Sequence, residues 1–369
     1  MTEGTFPKVD GDVLYASEVN TFYAGTNNVV TSLEVINQAT TLAIDAGLTD
    51  KTYTYANTDI FIDATGQNNT VDSSSGIEYD ADLDGFILAL TIYDNFSDNS
   101  FDAGLWTKTE TTSNGAATVT EQNTQMEFVA SGSSNQSSPQ NASSTAKLES
   151  DTDFDVLKFT LSSLSFDAGG SASQAMDYSQ AQIQVLFGAT VITDKIENLS
   201  DPSSPYSAVY NDLVDGVWLL IKDGADSWNL YLNGTYKRNF SGLSGHFIVN
   251  CQGKCQSSGS GGGCMSYSAN VDLDTVYYQI GSSGTLTTTQ KTITSNVDAI
   301  FTIGTVDGGG TFTYDVSTDG GSTEDATAQS LSGIVYCDGD NTDVILTFNL
   351  SGADNTTPIF KDYAYQVWI

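Results

Sequence analysis

The sequence predicts a mostly β protein with a short N-terminal helical segment, a central antiparallel sandwich, for which a family resemblance described below implies a jelly roll, and a small C-terminal β-sandwich. Three observations lead to this fold class. Charged residues are only 16% of the 369 residues, below the usual quarter. The chain has 34 glycines and 18 tyrosines, a mixture typical of short strands joined by tight turns. Runs of alternating polar and apolar residues recur along residues 51–369, as expected for half-buried strands.

Three units are expected along the chain, and its length is sufficient for each to have its own core. Their predicted ranges are 1–92, 93–283 and 284–369. In the first, Ser17 is expected to cap a short helix. After it, apolar and small residues recur at spacings of three and four, the helical period, at Val29, Leu33, Ile36, Thr40 and Ala43. This stripe is either a packing face or one strand of a three-helix oligomer seam.

The charge balance excludes several classes of partner. The chain has 46 acidic and 12 basic residues and a formal net charge of −34, so it repels nucleic acid and anionic membranes. There is no run of 18 apolar residues, and membrane insertion is therefore not expected. The first residues lack the basic and apolar segments of a signal peptide. We therefore expect assembly in the cytoplasm of a cell.

Aspartates provide the candidate metal ligands, and calcium is the one cofactor that the sequence suggests. Asp80, Asp82 and Asp84 precede Gly85 in the D-x-D-x-D-G pattern that begins a calcium loop. Thr91 stands where such a loop ends in Glu, so a plain aspartate-rich turn is the alternative. Four more aspartates are expected to converge where the opening and closing strands of the sandwich meet: Asp94, Asp98, Asp272 and Asp274.

Three cysteines surround a flexible Gly/Ser segment, "CQGKCQSSGSGGGC". One disulfide among Cys251, Cys255 and Cys264 would pin this loop. Free thiols, or an irregularly spaced zinc site that includes His246, are the alternatives. We expect Cys337 to be an unpaired core residue.

Catalytic motifs are scarce. His246, the single histidine, lies in the strand-like "GHFIVN" and is expected to be structural. Two carboxylates on one strand would be needed for glycoside hydrolysis. Glu78 and Asp80 begin the E-x-D-x-x-E spacing of jelly-roll glycosidases, but Leu83 stands at the second Glu. We therefore predict that the chain is not an enzyme, with an unrecognised carboxylate pair as the alternative.

Glycan recognition requires exposed aromatic rings beside amides and carboxylates. The candidates for this role are Trp218, Asn229, Tyr231, Asn233 and Tyr236. In "WNLYLNG", strand alternation places Trp228 on the core face and Tyr231 on the opposite face. Core packing is the alternative for each of these aromatic residues.

Three segments of the middle unit carry a family resemblance: "DNFSDNSFDAGLW" at 94–106, "WNLYLNGTY" at 228–236 and "NVDLDTVYYQI" at 270–280. In order, they are similar to the opening segment, an aromatic hairpin and the closing strand of concanavalin-A-like (laminin-G-like) jelly rolls. The resemblance covers residues 94–283 and implies a lectin-like domain.

The ends of the chain carry a second resemblance, at "GDVLYASEVN" (11–20), "FTYDVSTDGGST" (312–323) and "TPIFKDYAYQVWI" (357–369). These segments are similar to tail-fibre or spike proteins of tailed viruses. The resemblance implies a structural protein of the virion surface, assembled in the host cytoplasm. Residues 1–92 would contact other virion proteins and form a homo-oligomer, a trimer by preference. The lectin-like domain would act in receptor binding, on a host-surface glycan or glycoprotein.

Three alternatives stay open. The chain would be a capsid turret or decoration protein if its jelly roll were architectural. Outside virions, it would be a cell-surface carbohydrate-binding protein. The third alternative is a polysaccharide-cleaving jelly-roll enzyme.

Overall fold

The computed structural model describes residues 53–60, 71–83, 85–135, 141–170, 177–200, 212–224, 226–243, 245–257, 264–279, 283–338, 341–352 and 356–369. All strand pairs in these residues are antiparallel, apart from one isolated bridge, and none of these residues is helical. The mostly β fold class is therefore confirmed. The predicted helical segments at Ser17 and Val29–Ala43 lie outside the described residues. Within the described ranges, no helix has the length and apolar character to cross a membrane.

Two packed sheets form a jelly-roll sandwich from residues 90–279. The larger sheet has eight strands in the order β15-β14-β13-β10-β17-β8-β7, with β5 beside β17. Its strands are β5 (Leu90–Asp94), β7 (Gly115–Gln122), β8 (Gln125–Ser134), β10 (Val156–Gly170), β13 (Gly216–Gly224), β14 (Ser227–Leu232), β15 (Thr235–Ser241) and β17 (Met265–Gln279). The smaller sheet has the order β12-β11-β16-β9-β6. Its strands are β6 (Trp106–Ser113), β9 (Asn141–Asp153), β11 (Tyr178–Phe187), β12 (Thr190–Ser200) and β16 (His246–Gln256).

Strict alternation of side chains builds the core between these sheets. In β11, every second residue is buried, so Ile183, Val185 and Phe187 enter the core. The alternate positions, which include three glutamines, face outward. Burial of each large apolar side chain contributes about 1.5–3 kcal/mol. The same alternation in β9, β16 and β17 makes the core continuous.

The opening segment of the jelly roll is held by Asp94. Its Oδ1 accepts a hydrogen bond from the backbone N–H of Phe96 at 2.9 Å, and its Oδ2 accepts one from Trp106 Nε1 at 2.6 Å. Phe96 and Trp106 are fully buried. The Asp-x-Phe…Trp pattern therefore fastens β5 to the start of β6.

Two further sheets form a second β unit. One has the order β23-β20-β25-β4-β3, with β1 beside β25, and the other has the order β2-β18-β24-β21-β22, with β19 beside β24. The first sheet contains β1 (Tyr53–Ile60), β3 (Ile77–Asp80), β4 (Gly85–Leu88), β20 (Ala299–Gly308), β23 (Gly333–Tyr336) and β25 (Pro358–Trp368). The second contains β2 (Val71–Ser75), β18 (Ser283–Thr288), β19 (Lys291–Thr292), β21 (Thr311–Ser317), β22 (Ala326–Gln329) and β24 (Asp343–Ser351).

This second unit is made from both ends of the described chain. Ile77, Phe86 and Leu88 share one core with Phe348 and Phe360. Residues 53–88 and 283–369, which the sequence analysis placed in separate units, therefore fold together. The jelly roll is inserted between β4 and β18.

A small apolar cluster and an ion pair join the two units. The cluster contains buried residues from both: Leu83, Ile87, Val156, Leu219, Ile221 and Ile359. Beside it, Lys158 Nζ lies 2.6 Å from Asp80 Oδ2 and 3.3 Å from Asp82 Oδ2. The outer face of the larger sheet is thus covered at its central strands β10 and β13.

Candidate functional site

The outer face of the smaller sheet carries a continuous group of amide side chains. Gln184 of β11 pairs in register with Asn250 of β16, and Gln182 pairs with Gln252. The residues between them, including Ile183 and Cys251, are buried in the core. We call the outward set the amide face, which comprises Gln180, Gln182, Gln184, Asn250 and Gln252.

Hydrogen bonds hold the amide face in one arrangement but leave one acceptor open. Gln252 Nε2 donates to Gln182 Oε1 at 2.7 Å and to Gln184 Oε1 at 3.3 Å, and Asn250 Nδ2 lies 3.4 Å from Gln184 Oε1. Asn250 Oδ1 is buried and accepts no hydrogen bond from any described residue. A buried acceptor without a donor costs free energy, so the amide face is held together at some cost at Asn250.

One edge of the amide face meets a row of charges on β9. Lys147 pairs in register with Asn250, and its Nζ lies 2.6 Å from Glu149 Oε2. Beyond Glu149, Asp151 and Asp153 follow at alternate positions, and both are exposed. We call Glu149, Asp151 and Asp153 the acidic row. The Lys147 hydrogen bond lowers the pKa of Glu149, and the Lys147 and His246 charges lower it further.

His246 lies between two carboxylates of the acidic row. Its Nδ1 is 3.4 Å from Glu149 Oε1, its Nε2 is 3.5 Å from Asp153 Oδ1, and its side chain is 40% exposed. The one histidine of the chain, expected to be structural, is therefore placed at the surface between two carboxylates.

Sequence reasoning missed both parts of this site. The signal for the acidic row was "ESDTD" at 149–153, three carboxylates at alternate positions of one strand. The signal for the amide face was "QAQIQ" at 180–184, in which amides alternate with small and apolar residues. Neither signal indicates that β9, β11 and β16 are neighbours.

The predicted glycan residues separate into two groups. Trp218 is fully buried, with Nε1 donating to the Val214 carbonyl at 3.2 Å, so it presents no face to a sugar. Asn233 has a φ of 47° in the β14–β15 turn, and its Oδ1 accepts the Val217 N–H at 2.9 Å. Asn229, Tyr231 and Tyr236 stay together on the opposite side of the jelly roll from the amide face.

In the predicted Asp80–Asp84 calcium loop, Asp80 and Asp82 form ion pairs with Lys158. Asp80 Oδ1 accepts the backbone N–H groups of Asp82 and Leu83, both at 3.0 Å, while its Oδ2 pairs with Lys158. Asp84 lies outside the described residues. The described aspartates of this loop thus form a capped turn with a lysine partner.

The other predicted calcium ligands lie in two separate groups. Asp94 holds Phe96 and Trp106, as above, and Asp98 lies beside Glu121. Burial is the main cause that raises the pKa of Asp272. The nearby charges of Glu127, Asp215 and Asp274 raise it further. In the described ranges, no cluster of three or more His, Cys, Asp or Glu side chains has the geometry of a metal site. Calcium binding stays a prediction.

The predicted disulfide is corrected. Cys251, Cys255 and Cys264 are all free thiols. Cys251 and Cys255 are four residues apart on one strand, about 13 Å, whereas a disulfide needs Cα atoms within about 7 Å. Cys337 is also free and half-buried.

The solved structures that match this chain include glycan-cleaving enzymes and carbohydrate recognition domains, at low structural similarity. No protein-family model matches the chain, and no curated protein matches it. Among solved structures, Bacillus licheniformis β-glucanase is 11% identical over 51% of this chain and 97% of its own, with a TM-score of 0.26. A κ-carrageenase from Pseudoalteromonas carrageenovora is 11% identical over 49% and 92%, with a TM-score of 0.24. The Emp47p carbohydrate recognition domain is 10% identical over 51% and 95%, with a TM-score of 0.22.

These matches correct one prediction. The chain was expected not to be an enzyme, but the matched structures include glucanases, a carrageenase and a porphyranase. At these TM-scores the matches assign no substrate or reaction to this chain. None of them is a viral protein by its name, and the tail-fibre resemblance stays a prediction.

Proposed function

We propose that this chain is a carbohydrate-binding protein that holds a glycan across the amide face. The observation that carries the proposal is the uncharged amide group of β11 and β16 on a chain of net charge −34. Amides donate and accept hydrogen bonds, as sugar hydroxyls do. Because strands rise about 3.3 Å per residue, the amide face from Gln180 to Gln184 spans about 13 Å, which suits a short oligosaccharide.

Affinity electrophoresis in neutral polysaccharide gels tests this proposal. A Gln182→Ala/Gln252→Ala double variant should bind about tenfold more weakly, because each lost hydrogen bond contributes about 0.5–1.5 kcal/mol. Gln329→Ala is the matched control, since Gln329 lies in the second β unit and donates to the Thr327 carbonyl. An unchanged affinity in a folded double variant would overturn the proposal, as would an equal loss in the control.

Glycoside hydrolysis is a second candidate function, favoured by the acidic row beside the amide face. In this reaction water adds across the glycosidic bond: the anomeric carbon gains a hydroxyl, and the leaving oxygen gains a proton. Glu149 Oε1 and Asp153 Oδ1 lie 3.4 and 3.5 Å from the two ring nitrogens of His246, so two carboxylates lie at one place, as glycoside hydrolysis requires. Glu149, whose pKa is lowered by Lys147, would accept a proton from the water, and the neighbouring Asp153 and His246 would pass a proton to the leaving oxygen.

Release of reducing ends from bound polysaccharide measures this activity directly. Glu149→Gln should abolish release while retention on the gel persists. The control is Asp226→Asn, an exposed turn aspartate outside the site. Release that survives Glu149→Gln, or the absence of any release by the unmodified chain across neutral glycans, would remove this candidate.

We also propose, from the sequence resemblance, that the chain presents this site on a virion surface as a trimer. Single-site glycan binding is weak, and several copies on one particle raise the effective affinity without new contacts. Light scattering on the full chain measures the oligomeric state, and a monomer would contradict this placement.

A further inference from the structure

A second exposed cluster lies on the other sheet of the jelly roll, away from the amide face. Tyr231 of β14 and Tyr236 of β15 have ring centroids 5.8 Å apart and planes at 75°. Tyr236 is 52% exposed, and Tyr231 is half-buried against the apolar cluster between the two units. The two rings therefore form two walls of an open corner.

Acidic side chains from both units surround this corner. Asp223 Oδ2 accepts a hydrogen bond from Asn229 Nδ2 at 2.7 Å, and Asn229 Oδ1 accepts one from Asn239 Nδ2 at 2.9 Å. Within the described ranges, no lysine, arginine or histidine forms an ion pair with Asp223. Asp223 is thus a fixed carboxylate whose charge is not neutralised by a neighbour.

The second β unit brings another carboxylate to the same place. A Cβ added to Gly309, in the β20–β21 turn, would lie 2.8 Å from the Asp223 carbonyl carbon, so the two turns are in contact. Asp307 precedes this turn and pairs with Lys361 at 3.1 Å. Burial, then the charges of Asp223 and Asp307, raise the pKa of Tyr231. The ring of Tyr231 therefore lies in a negative potential from both units.

We propose that this aromatic corner, formed by Asn229, Tyr231, Tyr236, Asp223 and Asp307, binds the ammonium group of an unacetylated amino sugar. Cations are attracted to the faces of aromatic rings. The two rings meet edge to face, and the exposed ring of Tyr236 is available to a ligand. Asp223 supplies the counter-charge, and Asn229 supplies a hydrogen bond for a hydroxyl. The proposal rests on the proposed function in taking the ligand to be a glycan, but it uses a different surface.

A neutral sugar accounts less well for this geometry. A neutral ring would stack on one exposed aromatic face, and its hydroxyls would donate to Asp223, but it would leave the charge of that carboxylate without a counter-charge. A cationic sugar would use both the ring and the charge. Charge on the ligand is therefore the property to vary.

Calorimetry with two matched oligosaccharides makes that test. The chitosan tetramer, of four glucosamine units, should bind at low salt, and the chitin tetramer, with every amine acetylated, should bind at least tenfold more weakly. Binding of the chitosan tetramer should weaken as salt rises, because exposed charges are screened. Equal binding of the two tetramers would overturn the proposal. Equally tight binding of tetralysine would overturn the sugar assignment in favour of a cationic peptide.

Variants locate the binding and separate this proposal from the proposed function. Tyr236→Ala should weaken chitosan-tetramer binding about threefold to fivefold, the range of an exposed cation–π contact. Asp223→Asn keeps an acceptor oxygen for Asn229 and removes only the charge, and it should also weaken binding. The Gln182→Ala/Gln252→Ala variant should bind the chitosan tetramer normally while losing neutral polysaccharide. Loss in that variant, with Tyr236→Ala and Asp223→Asn unaffected, would place the ligand on the amide face and refute the corner.

Discussion

At the scale of single residues, Lys158 is the clearest link between the two units. Its side chain is 20% exposed, and that of Asp80 is 2% exposed. Burial alone would lower the pKa of Lys158, but the hydrogen bond and charge of Asp80, with those of Asp82, raise it. A raised lysine pKa contributes stability below the ordinary value of about 10.4 and loses it above the folded value. The link is therefore intact at neutral pH.

Lys158→Met should destabilise the protein by about 2–4 kcal/mol, near the lower end of what breaking a fully buried pair costs, because it leaves Asp80 buried and unpaired. Chemical denaturation at pH 7 measures this. Lys361→Met is the control, since its pair with Asp307 is exposed and should cost at most about 1 kcal/mol. Adding Asp80→Asn to Lys158→Met should restore part of the loss. A cost for Lys158→Met no larger than that of the control would contradict this account.

The same residues show how far single positions could be predicted. The spacing of Asp80 and Asp82 predicted either a calcium loop or an aspartate-rich turn, and in the structure Asp80 caps a turn and pairs with Lys158. Their partner, Lys158, is 78 residues away in sequence from Asp80, and spacing along the chain carries no information about such a contact. A calcium ion and a lysine both satisfy clustered carboxylates, so the sequence left that choice open.

At the scale of elements, the β14–β15 hairpin shows what a turn motif determines. Asn233 and Gly234 have φ angles of 47° and 71°, as the Asn-Gly type I′ turn requires, and "WNLYLNGTY" predicted this hairpin. The sequence did not predict that Gly234 lies against the backbone carbonyl of Asp82 in the other unit. That contact depends on how two units meet, which no local pattern specifies.

Gly234→Ala should therefore destabilise the protein by more than the strain of its left-handed backbone angle alone would. Gly242 offers a matched control, because its φ is 66° and nothing lies within 4 Å of its added Cβ. Gly242→Ala should cost about 1 kcal/mol for the left-handed angle. Gly234→Ala should cost at least about 1 kcal/mol more, since its methyl group displaces the Asp82 turn. Equal melting temperatures for the two variants would show that the contact contributes nothing.

Strand β16 provides a second element-level prediction through its thiols. Cys251 and Cys255 face the core, and burial raises the pKa of both. Burial also raises the pKa of Cys337 to about 12. Cys264 is exposed. Because the thiolate is the reactive form, Ellman's reagent should label one thiol rapidly in the folded protein and four after unfolding. Rapid labelling of three or more native thiols would have to include Cys251 or Cys255 and would contradict the described packing of β16.

The candidate site illustrates the limit of strand prediction. Alternation in "AQIQVLF" predicted strand β11, and the same alternation separates its amides from its core residues. The amide face exists because β11 lies next to β16, and 59 residues separate Phe187 and Phe247, which pair across these strands. Sequence periodicity gives the sides of a strand but not its neighbours, so the site was missed although its residues lay in recognised strands.

At the scale of the whole molecule, the insertion of the jelly roll explains the error in domain assignment. The jelly-roll range 93–283 came close to the observed strands, which end at Gln279. The segment before it was assigned to attachment, yet β1 pairs with β25 at the far end of the chain. The two units are held together by the apolar cluster, by Lys158 and by the two places where the chain passes from one unit to the other. The amide face and the aromatic corner therefore keep a fixed relation on opposite sides of one body.

The charge of the whole molecule gives the last prediction: the melting temperature should rise as the pH falls from about 7.5 to 5. Six described carboxyl groups have raised pKa values, with burial as the largest cause in each: Glu78, Glu121, Asp194, Asp272, Glu324 and Asp362. A raised carboxyl pKa means that the folded state binds the proton more tightly, so the free energy of unfolding grows as the pH falls through the folded value.

Two carboxyl groups, those of Glu149 and Asp319, have lowered pKa values and reduce the melting temperature, but only at lower pH. Hydrogen bonds from Lys147 to Glu149 and from Thr323 to Asp319 lower those pKa values, that of Asp319 to about 2. Stability from a lowered pKa is lost only as the pH falls through that lowered value, so both groups stay ionised at pH 5. Relief of self-repulsion on a chain of net charge −34 adds to the rise, and high salt screens that part.

Differential scanning calorimetry across pH 4.5–7.5, in low and high salt, separates the two causes. The rise should persist in part at high salt, because desolvation of buried carboxyls is not screened. Glu121→Gln should raise the melting temperature at pH 7 and flatten the pH dependence, since Glu121 is 8% exposed, lies beside Asp98 and has a buried Oε1 without a partner in the described residues. A melting temperature that is constant or falls between pH 7.5 and 5 would show that these carboxyls are not desolvated in the folded chain.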